Sequence, residues 1–307
     1  MANYICIDGG TTNTRLHLVC DEKILETVNL PIGARTCGED PDGFKKELQL
    51  SITELLQHNR LAEGDLCRIL ASGMITSELG LYTLKHQPIP VDLGVLHRCT
   101  EEVSLHEIST IPFVFLRGIK KEDDIMRGEE TELMGLIRLT GAQECTYVLP
   151  GSHTKIVYTD AEGRVIDFST TLTGEMIEAL SRHTILKNSL DLEAPLQAES
   201  LMQGYEYCAK EGLNAALFKV RVSDTLLKQT AAEIYSFFMG VILCDDVKQI
   251  LKNDPQKIVL AGKKQIRTAL YEIIRQKSAA QVVCLSEQEI ERSVPLGAIG
   301  IYEYKGE

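Results

Sequence analysis

The chain opens with apolar and polar residues in alternation. Tyr4–Asp8 is a short apolar run that stops at Gly9-Gly10-Thr11-Thr12, a turn signal. Arg15–Cys20 alternates, with Leu16 and Leu18 on one face; Asp21-Glu22-Lys23 is a polar turn, and Ile24–Leu30 alternates again. A period of two over such short runs predicts three antiparallel strands in a meander. From Pro41 to His58 the period changes: Phe44, Leu48, Ile52, Leu55 and Leu56 share one stripe and predict a helix. Arg68–Ala71 reads as a buried strand followed by a short helix near Thr76–Leu81. Phe113–Leu116 reads as a strand, and Arg127–Leu139 as a helix with Leu133, Leu136, Ile137 and Leu139 apolar.

The pattern then restarts. Tyr147–Leu149 is apolar and stops at Pro150-Gly151-Ser152-His153. Lys155–Thr159 reads as a strand, Asp160-Ala161-Glu162-Gly163 as a hairpin turn, Arg164–Thr170 as a third strand and Met176–Leu186 as a helix. Setting Tyr4-Ile5-Cys6-Ile7 beside Tyr147-Val148-Leu149-Pro150, and dropping two residues from the second turn, brings Gly33 level with Gly174. The repeat is one of structural pattern, not of residues. The remainder keeps a βα rhythm: a long helix Thr230–Leu251, a strand Lys257–Ala261, a helix Lys263–Gln276, a strand Gln281–Leu285 and a last helix Pro295–Tyr304 with Pro at its start. Two meanders, each followed by βα units, predict two related α/β domains, 1–140 and 141–307, with the boundary near Thr140–Cys145. Such a pair is expected to face across a central cleft, a preferred place for ligands.

Composition narrows the function. With Lys+Arg 32 against Asp+Glu 44, the formal net charge is −12, which argues against a non-specific nucleic-acid binder. No apolar run approaches the ~18 residues of a membrane span; the longest, Tyr235–Cys244, stops at Asp245-Asp246. The N-terminus lacks a basic region and enters a strand at once, so no signal peptide is expected. The nine cysteines are an odd number without any C-x-x-C spacing, the usage of reduced thiols in a cytoplasmic protein.

Five segments carry candidate chemistry. In Asp8-Gly9-Gly10-Thr11-Thr12-Asn13-Thr14-Arg15, a carboxylate at a strand end can hold a metal ion. The glycines let backbone N–H groups nest an anion, the threonines add hydroxyl donors and Arg15 adds a cation. It is not a Walker loop, since G-x-x-x-x-G-K-[ST] occurs nowhere. Pro150-Gly151-Ser152-His153-Thr154-Lys155 lies at the matching place in the second meander, where Gly151, Ser152 and Thr154 could clasp a second phosphate beside Lys155. An ordinary hairpin turn would also account for it, and His153 suits a structural role better than a catalytic one. Arg127-Gly128-Glu129-Glu130-Thr131-Glu132 opens a helix with three carboxylates. Acids there favour the helix dipole, and one of them could equally take the proton of an attacking hydroxyl. Val259–Gln265 runs a strand through Gly262 into a helix, a turn against which a flat base could lie. Thr173 and Glu175 either face the cleft or cap the following helix.

Taken together the motifs resemble a known family. Asp8–Arg15 resembles the first phosphate motif of the sugar kinase/Hsp70/actin superfamily, the second meander turn its second phosphate motif, and Ala261-Gly262 its adenosine motif. Met126–Thr131, Pro150–Lys155, Leu172–Glu175 and Ala71–Met74 together resemble the 2-dehydro-3-deoxygalactonokinases, over nearly the whole chain in order. The resemblance implies two ribonuclease H-like (actin-like ATPase) domains of the α/β class. It implies ATP-dependent phosphorylation of the 6-hydroxyl of 2-dehydro-3-deoxy-D-galactonate or a close 2-keto-3-deoxy sugar acid, with Mg²⁺. By it, Asp8 would hold the metal ion through water, while Gly9, Gly10, Thr11 and Thr12 and then Gly151, Ser152 and Thr154 would hold ATP phosphates. Lys155 and Arg15 would neutralise charge, and Gly262 would lie beside adenine or ribose. Arg127, with Arg15, Thr173 and Glu175, would meet the sugar acid, and Glu129 or Glu130 would be the base. Glu129 follows Gly128 as the catalytic Asp follows Gly in glycerol-kinase-like enzymes. The expected partners are the sugar acid and ATP, with no nucleic acid and no membrane; a homodimer is left open. A kinase for another small sugar or sugar acid, and a non-catalytic nucleotide-binding regulator of the same fold, remain as alternatives.

Overall fold

In the computed structural model, which describes residues 2–141 and 144–306, the first alternating runs become β1 (Asn3–Gly9), β2 (Thr14–Cys20) and β3 (Lys23–Leu30), antiparallel neighbours throughout. Two helices follow, α1 (Ala34–Glu39) and α2 (Pro41–His58). The start of α2 is set by Asp40, whose Oδ1 accepts from Gly43 N at 3.0 Å, with Pro41 in the first helical position. Its stripe Phe44, Leu48, Ile52, Leu55 and Leu56 is buried against Ile5, Ile7, Leu16 and Leu18 of the sheet.

β4 (Leu66–Gly73) lies parallel to β1. A short parallel pairing, β5 (Gln87–Pro88) with a later strand, then α3 (Leu93–Arg98), β6 (Glu101–Val103) and β7 (Phe113–Phe115) carry the chain onward. β8 (Ile119–Lys120) and β9 (Ile125–Met126) precede α4 (Glu129–Thr140). The short helix expected over Thr76–Leu81 is a single 3₁₀ turn, Met74–Thr76. Leu84 N donates to Thr76 O across the loop at 3.0 Å, so that carbonyl is spent on loop closure instead of helix.

The second copy comprises β10 (Cys145–Leu149), β11 (Thr154–Thr159), β12 (Val165–Thr171), α5 (Thr173–His183), α6 (Ala198–Glu211), α7 (Leu213–Thr225), α8 (Ala231–Ile242), α9 (Cys244–Ile250), β13 (Lys257–Leu260), α10 (Lys264–Lys277) and β14 (Gln281–Cys284). α11 (Glu287–Tyr302) ends the chain. Sheet order is β3-β2-β1-β4-β7-β6 in one sheet and β12-β11-β10-β13-β14 in the other. From the third strand inward both run third, second, first, fourth, fifth, with the fourth and fifth parallel to the first. That is the ribonuclease H-like order, present twice.

The segment between α5 and α8 carried no sequence assignment and forms α6 and α7. α6 packs so closely on α8 that a Cβ on Gly204 would collide with Phe237 O, and one on Gly240 with Leu201 O. The single helix expected over Thr230–Leu251 is interrupted at Leu243 (φ −81°, ψ −2°). No Pro or Gly stands at Leu243; Val241, Leu243, Val247 and Ile250 are all buried in one core. The last helix starts at Glu287 and not at Pro295, which lies inside it. Close approach to α4 accounts for the longer helix: a Cβ on Gly135 would strike Ser293 O, and one on Gly297 would strike Thr131 O.

The chain divides into two compact units, Met1–Gln143 with Asp160–Asp167 and Gln288–Glu307, and Glu144–Thr159 with Phe168–Glu287. α11 therefore counts with the first. All nine cysteines are free, and among the described residues no helix is long and apolar enough to cross a membrane.

Candidate functional site

The two copies superpose through their hydrogen-bond registers. Asp8 pairs with Arg15 on β2, and Gly9 lies beside Gly73 at the end of β4. In the second unit Leu149 pairs with Lys155. Gly262, just past β13, presses on Pro150. Gly9 thus matches Pro150, Asp8 matches Leu149 and Arg15 matches Lys155. This shifts the strand alignment by two residues from the one read in the sequence. A slip of two preserves which side chains face the core, so alternation alone does not detect it. The pairing of Gly33 with Gly174 stands: Ala34 N donates to Gly10 O and Arg35 N to Thr11 O, while Glu175 N donates to Ser152 O, each at 3.0 Å. In each unit the glycine lies directly on the turn, where a Cβ would strike Gly10 O or Gly151 O. Gly73 (φ +85°) and Gly262 (φ +68°) occupy matching left-handed positions that other residues adopt only with strain.

The copies differ in their chemistry. In the first unit the turn residues Thr11, Thr12 and Asn13 are exposed, and Gly10 N donates to Asn13 O at 2.8 Å. The Asp8 side chain keeps 29% of its surface, and Arg15 Nη1 stands 3.7 Å from its Oδ2. Burial pushes the Asp8 carboxyl above the usual carboxylate range; Arg15 opposes this and the Glu129 charge adds to it. Glu129 Oε2 accepts from Arg127 N at 3.0 Å. Glu132, one helical turn on, faces the same way: burial, then the charges of Asp8 and Glu129, push its carboxyl to about 8. Glu130 points elsewhere. It has no exposed surface, both its oxygens accept from Gly128 N (3.0 and 2.8 Å), and Thr131 Oγ1 donates to Oε1 at 3.2 Å. Burial and the Glu129 charge raise it to about 8. Glu129 is the member of the pair that stands with Asp8.

Arg127 is committed within the chain. Its Nη1 donates to Thr76 O and Thr76 Oγ1, both at 2.6 Å; its Nη2 donates to Leu84 O at 2.9 Å and lies 3.3 Å from His86 Nδ1.

In the second unit Ser152 and His153 are exposed, and His153 Nε2 sits 3.0 Å from Glu175 Oε1. Thr154 is buried at the start of β11, and its Oγ1 makes no hydrogen bond among the described residues. Lys155 is 5% exposed and donates from Nζ to Thr170 Oγ1 at 2.8 Å, whereas its counterpart Arg15 keeps 59% of its side chain in solvent. Thr173, 3% exposed, donates to Asp246 Oδ2 at 2.6 Å. Burial raises the Asp246 carboxyl, and hydrogen bonds from Thr173 and Thr171 oppose the rise.

In the sequence Glu132 stands only as one of three carboxylates at the helix start, and Asp246 is not among the expected site residues. Glu132 had a usable signal, since residues three apart share a helix face. Asp246 had none: the hydroxyl that meets it, on Thr173, lies 73 residues away in the chain.

A duplicated ribonuclease H-like fold with a glycine turn closing the first hairpin of each copy is that of the actin-like ATPases and sugar kinases. Within that class the chain belongs to the 2-keto-3-deoxy-galactonokinase family, which it matches over residues 8–294. It is 33% identical over 248 residues to a Rhizobium meliloti (strain 1021) protein named as a 2-dehydro-3-deoxygalactonokinase, covering 78% of each chain. Against the 2-dehydro-3-deoxygalactonokinase of Escherichia coli (strain K12) it is 28% identical over 252 residues, 80% of each chain. A crystal structure from Sinorhizobium meliloti described under the same enzyme name shares the fold with a TM-score of 0.78 at 21% identity, covering 97% of each chain.

Proposed function

We propose that this protein is a kinase that moves the γ-phosphoryl group of ATP to the 6-hydroxyl of 2-dehydro-3-deoxy-D-galactonate or a close 2-keto-3-deoxy sugar acid. The family match over residues 8–294 carries the reading. It takes in both glycine turns and the Arg127–Glu132 helix start, so no part of the expected machinery lies outside it. Phosphoryl transfer asks the protein chiefly for positioning and charge neutralisation. In this reading the turns at Gly9–Thr12 and Gly151–Thr154 present backbone N–H and hydroxyl donors to the phosphates. The orphaned Thr154 hydroxyl is the kind of buried donor that an anion satisfies. Gly262 lies beside the base or ribose, and Thr173 and Glu175 complete the second turn. Arg15 offsets negative charge beside Asp8, and Lys155 does so from within its strand.

Glu129 accepts the proton of the attacking hydroxyl. Among the two adjacent glutamates it alone has surface left and stands in the field of Asp8. The Glu129 charge raises the proton affinity of both Asp8 and Glu132, Asp8 adds to that of Glu132, and Arg15 opposes both, an electrostatic setting that a divalent cation relieves. In this reading Asp8 holds Mg²⁺ largely through the ion's own waters, since Mg²⁺ sheds them reluctantly. Bound there by Asp8, Mg²⁺ would neutralise phosphate charge. The free thiols agree with a cytoplasmic enzyme; light scattering on the purified protein decides between monomer and homodimer.

The test is coupled ADP release over a panel of 2-keto-3-deoxy sugar acids, with Mg²⁺ and with chelator, beside calorimetric ATP binding. Acid-stimulated, Mg²⁺-dependent release is expected. ATP binding without stimulation by any acid would transfer the protein to the nucleotide-binding regulators of the same fold.

A further inference from the structure

We infer that Arg127 is a positioning residue: its guanidinium ties off the loop 76–84, and that loop, not the arginine, meets the acceptor. The inference rests on the kinase reading for what the loop recognises, but not for the brace itself.

Three turns meet at this point of the first unit. Gly73, at the end of β4, presses on Gly9 O at the end of β1, and a Cβ on Gly128 would lie 3.1 Å from Gly73 Cα. The loop therefore leaves the sheet beside the Asp8 hairpin. Its neck is closed by Leu84 N donating to Thr76 O at 3.0 Å, and Arg127 grips that neck from both sides, through Thr76 O and Oγ1 and through Leu84 O. Thr76 and Leu84 are buried, whereas Glu78, Leu79 and Thr83 reach solvent. Both terminal nitrogens of the guanidinium are thus engaged within the chain, so its end-on Nη1/Nη2 fork is not open to a substrate carboxylate. The same residue uses its backbone N–H to hold Glu129 Oε2 at 3.0 Å. Residue 127 thus joins the loop, through its side chain, to the proposed base, through its backbone N–H. Lys cannot replace it, since an ammonium cannot reach Thr76 O and Leu84 O with a rigid fork.

The experiment compares wild type with Arg127→Lys and Arg127→Met. In unliganded protein the amides of Ser77, Gly80, Tyr82 and Leu84, which donate within the loop, are expected to exchange with deuterium at least about tenfold faster in both variants. Loss of a charge-assisted hydrogen bond produces such a factor. KM for the sugar acid should rise by a similar factor in both, while KM for ATP stays within about twofold, a split that general destabilisation does not give. Unchanged loop exchange would overturn the inference, as would an Arg127→Lys variant that keeps the wild-type acid KM while Arg127→Met loses it, the pattern of a direct charge contact. If one variant fails to fold, the other decides; Thr76→Val removes an acceptor of the brace together with the Thr76 Oγ1 bond to Gly73 O (2.9 Å), so it must speed exchange at Leu84, and unchanged exchange there refutes the brace. Failure of every sugar acid with the wild-type enzyme would remove the kinase reading and leave the exchange result to decide the brace.

Discussion

Glu129 and Glu130 are chemically identical neighbours with opposite fates. Glu130 is sealed against the Gly128 N–H, while Glu129 keeps surface near Asp8. Glu129→Gln is therefore expected to lower kcat by roughly 10²–10⁴, the usual worth of general-base assistance, with little change in KM; steady-state kinetics on both glutamine variants checks this, and Glu130→Gln should cost far less. Glu130 instead governs a pH dependence of stability. Folding lifts its carboxyl from an ordinary value of 4.5 to about 8. The folded state thus holds a proton that the unfolded chain has released. Stability from this group is complete below about pH 4.5 and is lost as pH rises through about 8. Glu130→Gln removes the titration, so its melting temperature relative to wild type should rise between pH 5 and pH 8.5. Parallel melting curves of the two proteins across that range would show that Glu130 is not held protonated.

At the level of elements, the informative contact is between the start of α5 and the turn that precedes β11. Gly174 has no room for a side chain over Gly151 O, and Glu175 N is bonded to Ser152 O. Gly174→Ala must push helix and turn apart. Overpacking of this kind costs about 1–3 kcal/mol, so KM for ATP should rise roughly 5- to 150-fold with the acid KM little changed, measured by varying each substrate in turn. An equal rise in both would place the second turn outside the nucleotide site. The equivalence of Gly33 and Gly174 was legible in the sequence because both punctuate the same meander. The register of the strands before them was not, because a shift of two leaves every face unaltered. Likewise the stripe of α2 named its own buried face, whereas α6 and α7 are ordered by contact with α8.

At the scale of the molecule, the last helix belongs to the first unit, although it follows the second in the chain. Cys6, 1% exposed on β1, lies 4.0 Å from Pro295 O. Removing residues 288–307 should therefore open the first unit and make the Cys6 thiol reactive towards a chromogenic disulfide, while Cys208 and Cys244 in the second unit stay protected; labelling followed by peptide mass mapping reads the outcome. Protection of Cys6 in the shortened chain would mean that the first unit packs without α11.

Sequence alone determined the duplicated meander, the glycine turns that end each first strand, the carboxylate-rich helix start and the family to which these belong. All of these are local: turns, alternation and motif spacing are properties of neighbouring residues. Tertiary structure decided what depends on residues far apart. It seated Arg127 on Thr76 and Leu84, turned Glu130 inward and Glu129 outward, and buried Lys155 while leaving its counterpart Arg15 in solvent. It also interrupted the helix at Leu243, set Asp246 against Thr173, and ran α11 eight residues upstream of Pro295. The physical reason is the same in each case: burial and the partners that satisfy a polar group come from distant segments, and no window of sequence contains them.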